Sequence, residues 1–309
     1  MAAVANDLLN RLPVVRGTYR SHADLAATTW FRVGGKAEML FKPADEEDLA
    51  TFMAHRPLDL PVTAIGVGSN LLVRDGGVRG VVIRLGRGFA GIEVEDDLVV
   101  AGAAALDLNV ARVAAEAGLG GLEFLVGVPG TIGGAVRMNA GAYGEELKDV
   151  LVSARAVDPR GGRHELDPEH LGHAYRSSSV PEGWVFTQAT LRGTPGDADV
   201  IQARMREIQA ARQETQPVRS RTGGSTFKNP EGHKAWELIE RAGCRGLRRG
   251  DAMVSEQHCN FLINTGNATA TELEQLGEEV RRRVVDATGI QLDWEIRRVG
   301  IRPGRGGVA

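Results

Sequence analysis

A serine, a lysine and an asparagine occur close together in the second half of the chain, in the stretch TGGSTFKNP at 222–230. Two glycines precede Ser225, so its hydroxyl is expected to be exposed at a turn. Lys228 carries an ammonium that could neutralise a phosphate or a carboxylate. By spacing alone, an ordinary turn rich in hydroxyl side chains is the stronger interpretation. The hydrolase nucleophile elbow is not matched, because Phe227 stands where that motif has its second glycine.

Three further groups could do chemistry, but none of them identifies an enzyme alone. Arg176, in YRSS at 175–178, could bind a carboxylate through two hydrogen bonds. Glu295 falls on the polar face of the last predicted strand, where a solvated carboxylate is the default interpretation. His170 and His173 are three residues apart, but no acid or cysteine accompanies them at a known metal-site spacing. Surface or turn histidines are therefore favoured over a metal site.

Glycine makes up 40 of the 309 residues, and two glycine-rich blocks follow predicted strands. GVGSNLL at 66–72 places consecutive N–H groups beside two short polar side chains, an arrangement that can bind an anion. GVPGTIGGAVRMNAGAYG at 127–144 has small side chains and almost no charge, so its backbone could lie against a flat or phosphorylated ligand. Neither block fits the Rossmann fingerprint or the P-loop. Tight turns and a nucleotide-type cofactor site both remain open.

The elements that position these groups alternate between helices and strands. Five helices are predicted from caps and apolar periodicity. The first has the acids 45–48 in its first turn, the second runs from Leu108 to Ala117 and is closed by Gly118, and the third runs from about Val200 to Glu214. The fourth runs from Ala235 to Ala242 and is closed by Gly243, and the fifth begins with a capping box of Thr271 and Glu274 and ends at Gly289. Strands are predicted over 62–67, 80–85, 92–101, 151–157, 184–191, 261–264 and 290–299. The glycine- and proline-containing turn at 193–197 is the weakest join, and we place a domain boundary there.

Composition narrows the class of protein. The formal net charge of −3 gives no reason to expect nucleic acid or an anionic membrane as a partner. No stretch is apolar for long enough to span a bilayer, and the first residues lack the apolar core of a signal peptide. The two cysteines, Cys244 and Cys259, do not suggest a disulfide scaffold. A cytoplasmic α/β or α+β protein is expected.

Six segments in order resemble the UDP-N-acetylenolpyruvoylglucosamine reductase family. They are TTWFRVGG at 28–35, GVGSNLL at 66–72, the block at 127–144, YRSS at 175–178, GSTFKNP at 224–230 and WEIR at 294–297. Each is weak alone, whereas the six in order and at compatible spacing are specific. The resemblance spans about residues 21–303.

The resemblance implies an α+β fold of the vanillyl-alcohol-oxidase (PCMH) type, in which two α/β subdomains bind FAD and a C-terminal α/β domain binds the substrate. The expected division is 1–57 and 58–197 for FAD and 198–292 for the substrate, with 293–309 returning to the first subdomain. The stretch 187–200 is too short for the tyrosine-bearing lid loop of some members, so the subclass without that loop is expected.

The family's chemistry implies non-covalent FAD, NADPH and a UDP-sugar substrate in peptidoglycan precursor synthesis. By the resemblance, Arg176 and Glu295 stabilise the negative charge that develops on the substrate carboxylate, and Ser225 donates a proton to the substrate carbon. The implied substrate contacts are Tyr175, Lys228, Asn229, Gln257 and His258. The implied FAD contacts are Gly66, Val67, Gly68, Ser69, Asn70, Leu71, Gly127, Pro129, Gly130, Thr131, Ile132, Gly133, Gly134, Asn139 and Gly141.

Two alternatives remain beside this one. The first is a sugar-nucleotide- or flavin-binding protein that has lost turnover, against which Arg176, Ser225 and Glu295 occur together. The second is an alcohol oxidase of the same flavin fold. The glycine-rich blocks contain no histidine or cysteine that could tether a flavin covalently.

Overall fold

The computed structural model describes residues 8–304, and their contacts divide the chain into two compact units. The first unit includes 39–66 and 80–211 together with the segment before 22. The second includes 22–38, 67–79 and the chain from 212 onward. Each unit is therefore built from segments that are distant in sequence. The predicted division into two FAD subdomains and a substrate domain stays a prediction.

The strands of the first unit form two main sheets and two short ribbons. One sheet, whose first three strands extend into segments of the second unit, has the order β1 (Thr18–Asp24), β2 (Lys36–Lys42), β5 (Val78–Arg84), β3 (Val62–Ile65). The other, entirely antiparallel, has the order β12 (Arg163–Leu166), β11 (Leu151–Val157), β13 (Val185–Arg192), β7 (Leu98–Gly102), β6 (Ile92–Glu95). The ribbons pair β9 (Gly141–Ala142) with β10 (Glu145–Glu146), and β8 (Leu119–Gly120) with β14 (Thr194–Pro195).

Helices cover these sheets and supply two apolar cores. They are α1 (Glu46–His55), α2 (Asp107–Glu116), α3 (Ile132–Met138), α4 (Pro168–Leu171) and α5 (Ala198–Thr215), the last of which continues into the second unit. Phe41 and Phe52 belong to one core, with their ring centroids 4.6 Å apart. Phe124, Ile132 and Leu191 belong to the other and are fully buried. The glycine-rich block at 127–144 is thus anchored at Ile132 in a packed core.

The second unit has its own sheet and core. An antiparallel sheet has the order β15 (Arg221–Ser225), β18 (Phe261–Asn264), β17 (Ala252–Val254), β16 (Arg248–Arg249). Helices α6 (Ala235–Arg241) and α7 (Ala270–Thr288) share an apolar core with it. Separately, β19 (Arg297–Val299) runs parallel to β4 (Leu71–Val73). Both glycine-flanked motifs, GVGSNLL and TGGSTFKNP, therefore lead into or out of strands.

All five predicted helices are confirmed, each within two residues of its predicted bounds. Asp45 caps α1 by accepting a hydrogen bond from the Asp48 N–H. Ile201, Met205 and Ile208 are the buried stripe of α5, as their spacing indicated. The short helix α3, inside the second glycine-rich block, was not predicted. Two adjacent glycines disfavour a helix locally, and burial of Ile132, Ala135 and Val136 outweighs that penalty.

The predicted capping box of the fifth helix is wrong by two residues. The side chain that caps α7 belongs to Thr269, which accepts from the Glu272 N–H, and Glu272 bonds back to the Thr269 N–H. Both Thr269/Glu272 and Thr271/Glu274 satisfy the capping-box pattern. Contacts distant in sequence decide between them, because Asp75 accepts bonds from Thr271 and Arg74 pairs with Glu274.

Two strand predictions need correction. The predicted strand at 92–101 is a hairpin, β6 and β7, whose turn contains Asp96 at φ +54°. The predicted strand at 290–299 is ladder-paired only as β19, with an isolated bridge from Trp294 to Phe227. Its alternation still marks the buried side, since Leu292 and Ile296 are almost fully buried. The second block, moreover, follows a 3₁₀ turn (Glu123–Gly127) rather than a strand.

The observed cap makes a prediction about stability. Replacing Thr269 by alanine removes the acceptor for the Glu272 N–H and should lower the free energy of unfolding by about 1 kcal/mol. The neighbouring exposed Asn267, replaced by alanine, serves as the control and should change it by less than about 0.5 kcal/mol. Urea unfolding midpoints measure both. Equal effects of the two substitutions would contradict Thr269 as the cap.

Candidate active site

The turn at 66–70 needs glycine at its centre. Gly68 has φ +70°, and a Cβ there would lie 2.8 Å from the Thr29 Cα and 2.9 Å from the Thr28 carbonyl oxygen. The Trp30 N–H donates to the Gly68 carbonyl at 3.2 Å. Two segments singled out in the sequence, TTWFRVGG and GVGSNLL, thus contact each other closely in the second unit.

Asn70 connects this turn to the segment that carries Glu295. Its Nδ2 donates to the Glu295 carbonyl at 3.2 Å, and its own carbonyl accepts from the Arg297 N–H at 3.1 Å. The parallel register that follows pairs Arg297 with Leu71. The Asn70 side chain therefore holds backbone in place, a role that the sequence did not indicate.

Ser225 stands at the end of β15, directly after a bulge. Gly224 has φ +78°, and the register between β15 and β18 shifts between Thr222 and Ser225. A Cβ on Gly223 would lie 2.4 Å from the Phe31 ring, so only glycine fits there without movement. Ser225 itself is partly exposed, as expected for a hydroxyl that must reach a ligand.

The Ser225 and Glu295 segments are neighbours. The carbonyl of Thr226 accepts from the Glu295 N–H at 2.9 Å, and the Lys228 N–H donates to the Asp293 carbonyl at 2.8 Å. Thr226 is itself fixed by Asn260, whose carbonyl accepts the Thr226 N–H at 2.7 Å. Three motifs distant in sequence, at 69–70, 224–228 and 293–297, therefore converge in the second unit.

Asn260 is a site residue that the sequence analysis did not assign. Its side chain is buried, and it accepts from the Phe227 N–H at 3.0 Å while donating to the Phe227 carbonyl at 2.9 Å. An amide that pairs with both backbone groups of one residue acts like a strand neighbour. Its signal in the sequence was its place close after Gln257 and His258, which the resemblance implies as substrate contacts.

Three proposed substrate contacts of the second unit, Asn229, Gln257 and His258, bond to or pack against other residues of the protein. The Asn229 Oδ1 accepts from the Ala235 N–H at 2.9 Å, at the start of α6. Gln257 Nε2 donates to the carbonyls at the end of α5, at 2.8 Å for Glu214. His258 packs edge-on against the Phe261 ring, and burial lowers the pKa of its imidazole. Asn229 and Gln257 therefore bond to backbone groups of the protein itself, and His258 packs against one of its aromatic rings.

Arg176, in the first unit, lies in a strained turn. Ala174 and Ser177 exchange two backbone hydrogen bonds of 3.1 Å, which places Tyr175 and Arg176 at the tip. Arg176 has φ +54°, a conformation that glycine adopts far more readily than arginine. Its Nη2 donates to the Gly141 carbonyl at 2.9 Å, and the guanidinium carbon lies 5.0 Å from the Tyr175 ring centroid. The hydrogen bonds of the turn and of the Arg176 side chain hold arginine in this conformation.

A buried asparagine, Asn139, bonds to the turn that carries Arg176. Asn139 ends α3 in the left-handed conformation, and its Nδ2 donates to the Ala174 carbonyl at 3.2 Å and to Glu146 Oε2 at 3.0 Å. Glu146 Oε1 lies 3.9 Å from Arg176 Nη1. Burial alone would raise the pKa of Glu146, but hydrogen bonds from Lys148 and Asn139 outweigh it and lower that pKa. An ionised Glu146 therefore faces the Arg176 guanidinium.

The glycines of the second block differ in what they contact. A Cβ on Gly127 would meet the Tyr143 ring at 2.7 Å, one on Gly133 would meet Ala103 at 3.0 Å, and one on Gly141 would meet the Glu145 carbonyl at 2.6 Å. Protein packing accounts for these three. Gly134 is different, because a Cβ there would meet, within the described chain, Thr131 Oγ1 alone, at 3.9 Å. Open space beside a helical glycine suits a surface that a ligand covers.

Beneath this block lies an acid that the sequence analysis missed. Asp107 is fully buried at the start of α2, and its N–H donates to the Gly130 carbonyl at 3.3 Å. Neither of its carboxyl oxygens has a hydrogen-bond partner among the described residues. Burial raises the pKa of Asp107 well above its usual value. Its place in an apolar-looking helix turn gave no signal in the sequence.

Within residues 8–304, no group of three or more His, Cys, Asp or Glu side chains could hold a metal ion. His173 Nε2 donates to the Val136 carbonyl at 2.8 Å, and His170 pairs with Asp167. Across that same part of the chain, every helix is too short or too polar to cross a membrane.

Two family models match separate parts of the chain. Residues 37–167 match a family model described as an FAD binding domain, and residues 216–299 match the C-terminal domain of UDP-N-acetylenolpyruvoylglucosamine reductase. The expected α+β, vanillyl-alcohol-oxidase-type FAD-binding fold is confirmed by the first match and by the structural likeness below.

Curated relatives extend the match over nearly the whole chain. The UDP-N-acetylenolpyruvoylglucosamine reductase of Parvibaculum lavamentivorans is 62% identical over 308 residues and covers 99% of each chain. That of Paramagnetospirillum magneticum is 62% identical and covers 96% of this chain and 97% of the relative. The crystal structure of the Thermus caldophilus enzyme matches with a TM-score of 0.79 at 36% identity, covering 93% of this chain and all of that one. The chain belongs to the UDP-N-acetylenolpyruvoylglucosamine reductase family.

Proposed function

We propose that this chain reduces UDP-N-acetylenolpyruvoylglucosamine to UDP-N-acetylmuramate with NADPH and FAD, in peptidoglycan precursor synthesis. One observation carries the residue assignments. The segments of Ser225 and Glu295, distant in sequence, are joined by the hydrogen bond from the Glu295 N–H to Thr226. This bond brings the backbone beside Ser225 against the backbone of Glu295, as a shared site for the hydroxyl and the acid requires. The expected cytoplasmic location stays a prediction.

The residues present fit an FAD site. The Gly68 turn brings backbone N–H groups together, and Gly134 leaves open space where a Cβ would otherwise stand. We assign the cofactor to the residues at 66–71 and 127–141 named above. Bound FAD supplies two-electron chemistry, accepting a hydride from NADPH and delivering one to the vinyl CH₂ carbon of the substrate. The chain's own residues must bind the substrate, stabilise charge and deliver a proton.

Arg176 and Glu295 are proposed to stabilise the developing charge. Hydride addition to the vinyl group, which is conjugated with a carboxylate, places negative charge on the carboxylate oxygens. A positioned donor in a dry site stabilises such charge by about 3–4 kcal/mol. The side chain of Arg176 is only 18% exposed, and the strained turn presents it at a fixed place. Glu295 would act in its protonated form as a second donor.

Ser225 is proposed to give its proton to the carbon that bears the carboxylate. A serine hydroxyl is a weak acid, so neighbouring donors must stabilise the alkoxide that it leaves. Lys228, fixed by its N–H bond to Asp293, is the candidate cation. Tyr175, 43% exposed and stacked with Arg176, is the proposed substrate contact in the first unit.

The serine assignment can be tested by separating the two half-reactions. In Ser225→Ala, reduction of the flavin by NADPH should survive, while reduction of the sugar nucleotide should fall by about 10²–10⁴-fold. Stopped-flow absorbance follows each half-reaction separately. The exposed Ser220, replaced by alanine, is the matched control and should leave both rates unchanged. Unchanged product formation in Ser225→Ala would remove the assignment.

Arg176 should be dispensable for folding but needed for turnover. Glycine suits φ +54°, so Arg176→Gly is expected to change the free energy of unfolding by no more than about 1 kcal/mol. Its kcat with the sugar nucleotide should fall by about 10²–10³-fold.

Asp96→Gly provides the comparison, since Asp96 also has positive φ in an exposed hairpin turn and should leave kcat unchanged. Thermal melts and steady-state kinetics measure both. An Arg176→Gly enzyme with normal kcat would refute the role.

The open surface at Gly134 makes a separate prediction about the cofactor. Gly134→Ala should leave the flavin-free protein as stable or more stable, because alanine favours helix by up to about 1 kcal/mol. The added methyl group would occupy the ligand's space and weaken FAD binding at least about tenfold.

Fluorescence titration with FAD and the rise in melting temperature on adding it measure this effect. Gly91, exposed and likewise without a close neighbour for a Cβ among the described residues, is the control. Equal FAD affinity of Gly134→Ala and the unmodified protein would show that the flavin lies elsewhere.

A further inference from the structure

We infer that Trp294 is a positioning residue whose indole, seated on helix α7, fixes the backbone and hence the carboxyl group of Glu295. The inference rests on the proposed role of Glu295. Trp294 directly precedes Glu295, and the two lie in the extended segment that bridges to Phe227. Successive side chains of an extended segment point to opposite sides, so the direction of one sets the direction of the other.

The seat is a notch made by Gly277. Gly277 lies inside α7, where glycine is among the poorest helix formers. A Cβ at this position would lie 2.2 Å from Trp294 Cη2 and 2.5 Å from Cζ2. Alanine would suit the helix better, but it would collide with the indole. Helix α7 therefore has a poor helix-forming residue at the point where the Trp294 indole packs.

Three other contacts hold the indole in this notch. Trp294 Nε1 donates to Glu278 Oε1 at 2.9 Å. The guanidinium carbon of Arg298 lies 4.4 Å from the ring centroid, and the Phe227 ring lies 5.1 Å from it. Arg298 also donates to Glu278 Oε1 at 2.8 Å, so the acceptor of the indole bond is itself held. The ring is thus fixed on its faces and at its polar edge.

The backbone at Glu295 follows from this seat. The Glu295 N–H donates to the Thr226 carbonyl, beside Ser225, and the Glu295 carbonyl accepts from Asn70 Nδ2. These bonds fix position along the strand, whereas the tryptophan fixes rotation about it. A misplacement of about 1 Å in a catalytic group can lower turnover by about a hundredfold. Loosening the indole should therefore reduce turnover without removing any group that touches the substrate.

The test is a double-mutant cycle on the holoenzyme. Trp294→Phe should lower kcat for the sugar nucleotide by about tenfold, and Gly277→Ala by about a hundredfold. Phenylalanine lacks the outer ring atoms that would meet the new methyl group, so Gly277→Ala/Trp294→Phe should be no worse than Trp294→Phe alone. Reduction of the flavin by NADPH should stay within twofold in every variant. Additive losses, or an equal loss of the NADPH half-reaction, would overturn the inference.

Two adjacent glutamates of α7, Glu278 and Glu279, allow a second test that does not require the Gly277→Ala variant to fold. Glu278→Ala removes the indole's acceptor and should lower kcat about tenfold, whereas Glu278→Gln retains Oε1 and should restore it. Glu279 also pairs with two arginines but has no contact with Trp294, so Glu279→Ala should keep normal kcat. Equal kcat in Glu278→Ala and Glu279→Ala would overturn the inference.

Glu295→Gln separates the two claims. If Glu295→Gln keeps normal turnover, the proposed role of Glu295 fails, and the inference fails with it. If Glu295→Gln loses turnover while Trp294→Phe and Glu278→Ala keep it, the role of Glu295 stands and the positioning role of Trp294 is refuted.

Discussion

Backbone hydrogen bonds to the segment that carries Glu295 hold the candidate site of the second unit together. The Glu295 N–H donates to Thr226 and its carbonyl accepts from Asn70, a residue 225 positions away in the chain. Such bonds constrain position tightly, because buried backbone N–H and C=O groups must be paired. The glycines around them follow from this constraint, since Gly68 and Gly223 lie where any side chain would push the segments apart.

The first unit uses a different device for Arg176. Here the buried side chain of Asn139 holds the turn, because it donates to the Ala174 carbonyl and to Glu146. The turn above it carries an arginine in a conformation that favours glycine. Strain of this kind persists only where the surroundings impose it. Both candidate charge-stabilising residues thus lie in segments that an asparagine side chain holds through a backbone carbonyl.

Glycine, the most conspicuous feature of the composition, serves three separate purposes. Gly118 and Gly289 end helices in the left-handed conformation, as their positions after periodic segments predicted. Gly127 and Gly277 make room for aromatic side chains of the protein itself. Gly134 faces open space, which suits a ligand surface. The sequence could not separate the last two uses, because both appear simply as a glycine among small or helical residues.

The sequence by itself determined five of the helices, several of the strands, the buried stripe of α5 and the family, since these depend on local periodicity and on motifs with fixed spacing. It could not choose between Thr269 and Thr271 as the cap of α7, because both have a glutamate three residues later. Only the tertiary structure decided this, when Asp75 and Arg74 bonded to Thr271 and Glu274. It likewise decided which backbone Asn70 and Asn260 would hold and where the indole of Trp294 would lie. Hydrogen bonds and packing between distant segments carry no local signal, and they appear only when the chain has folded.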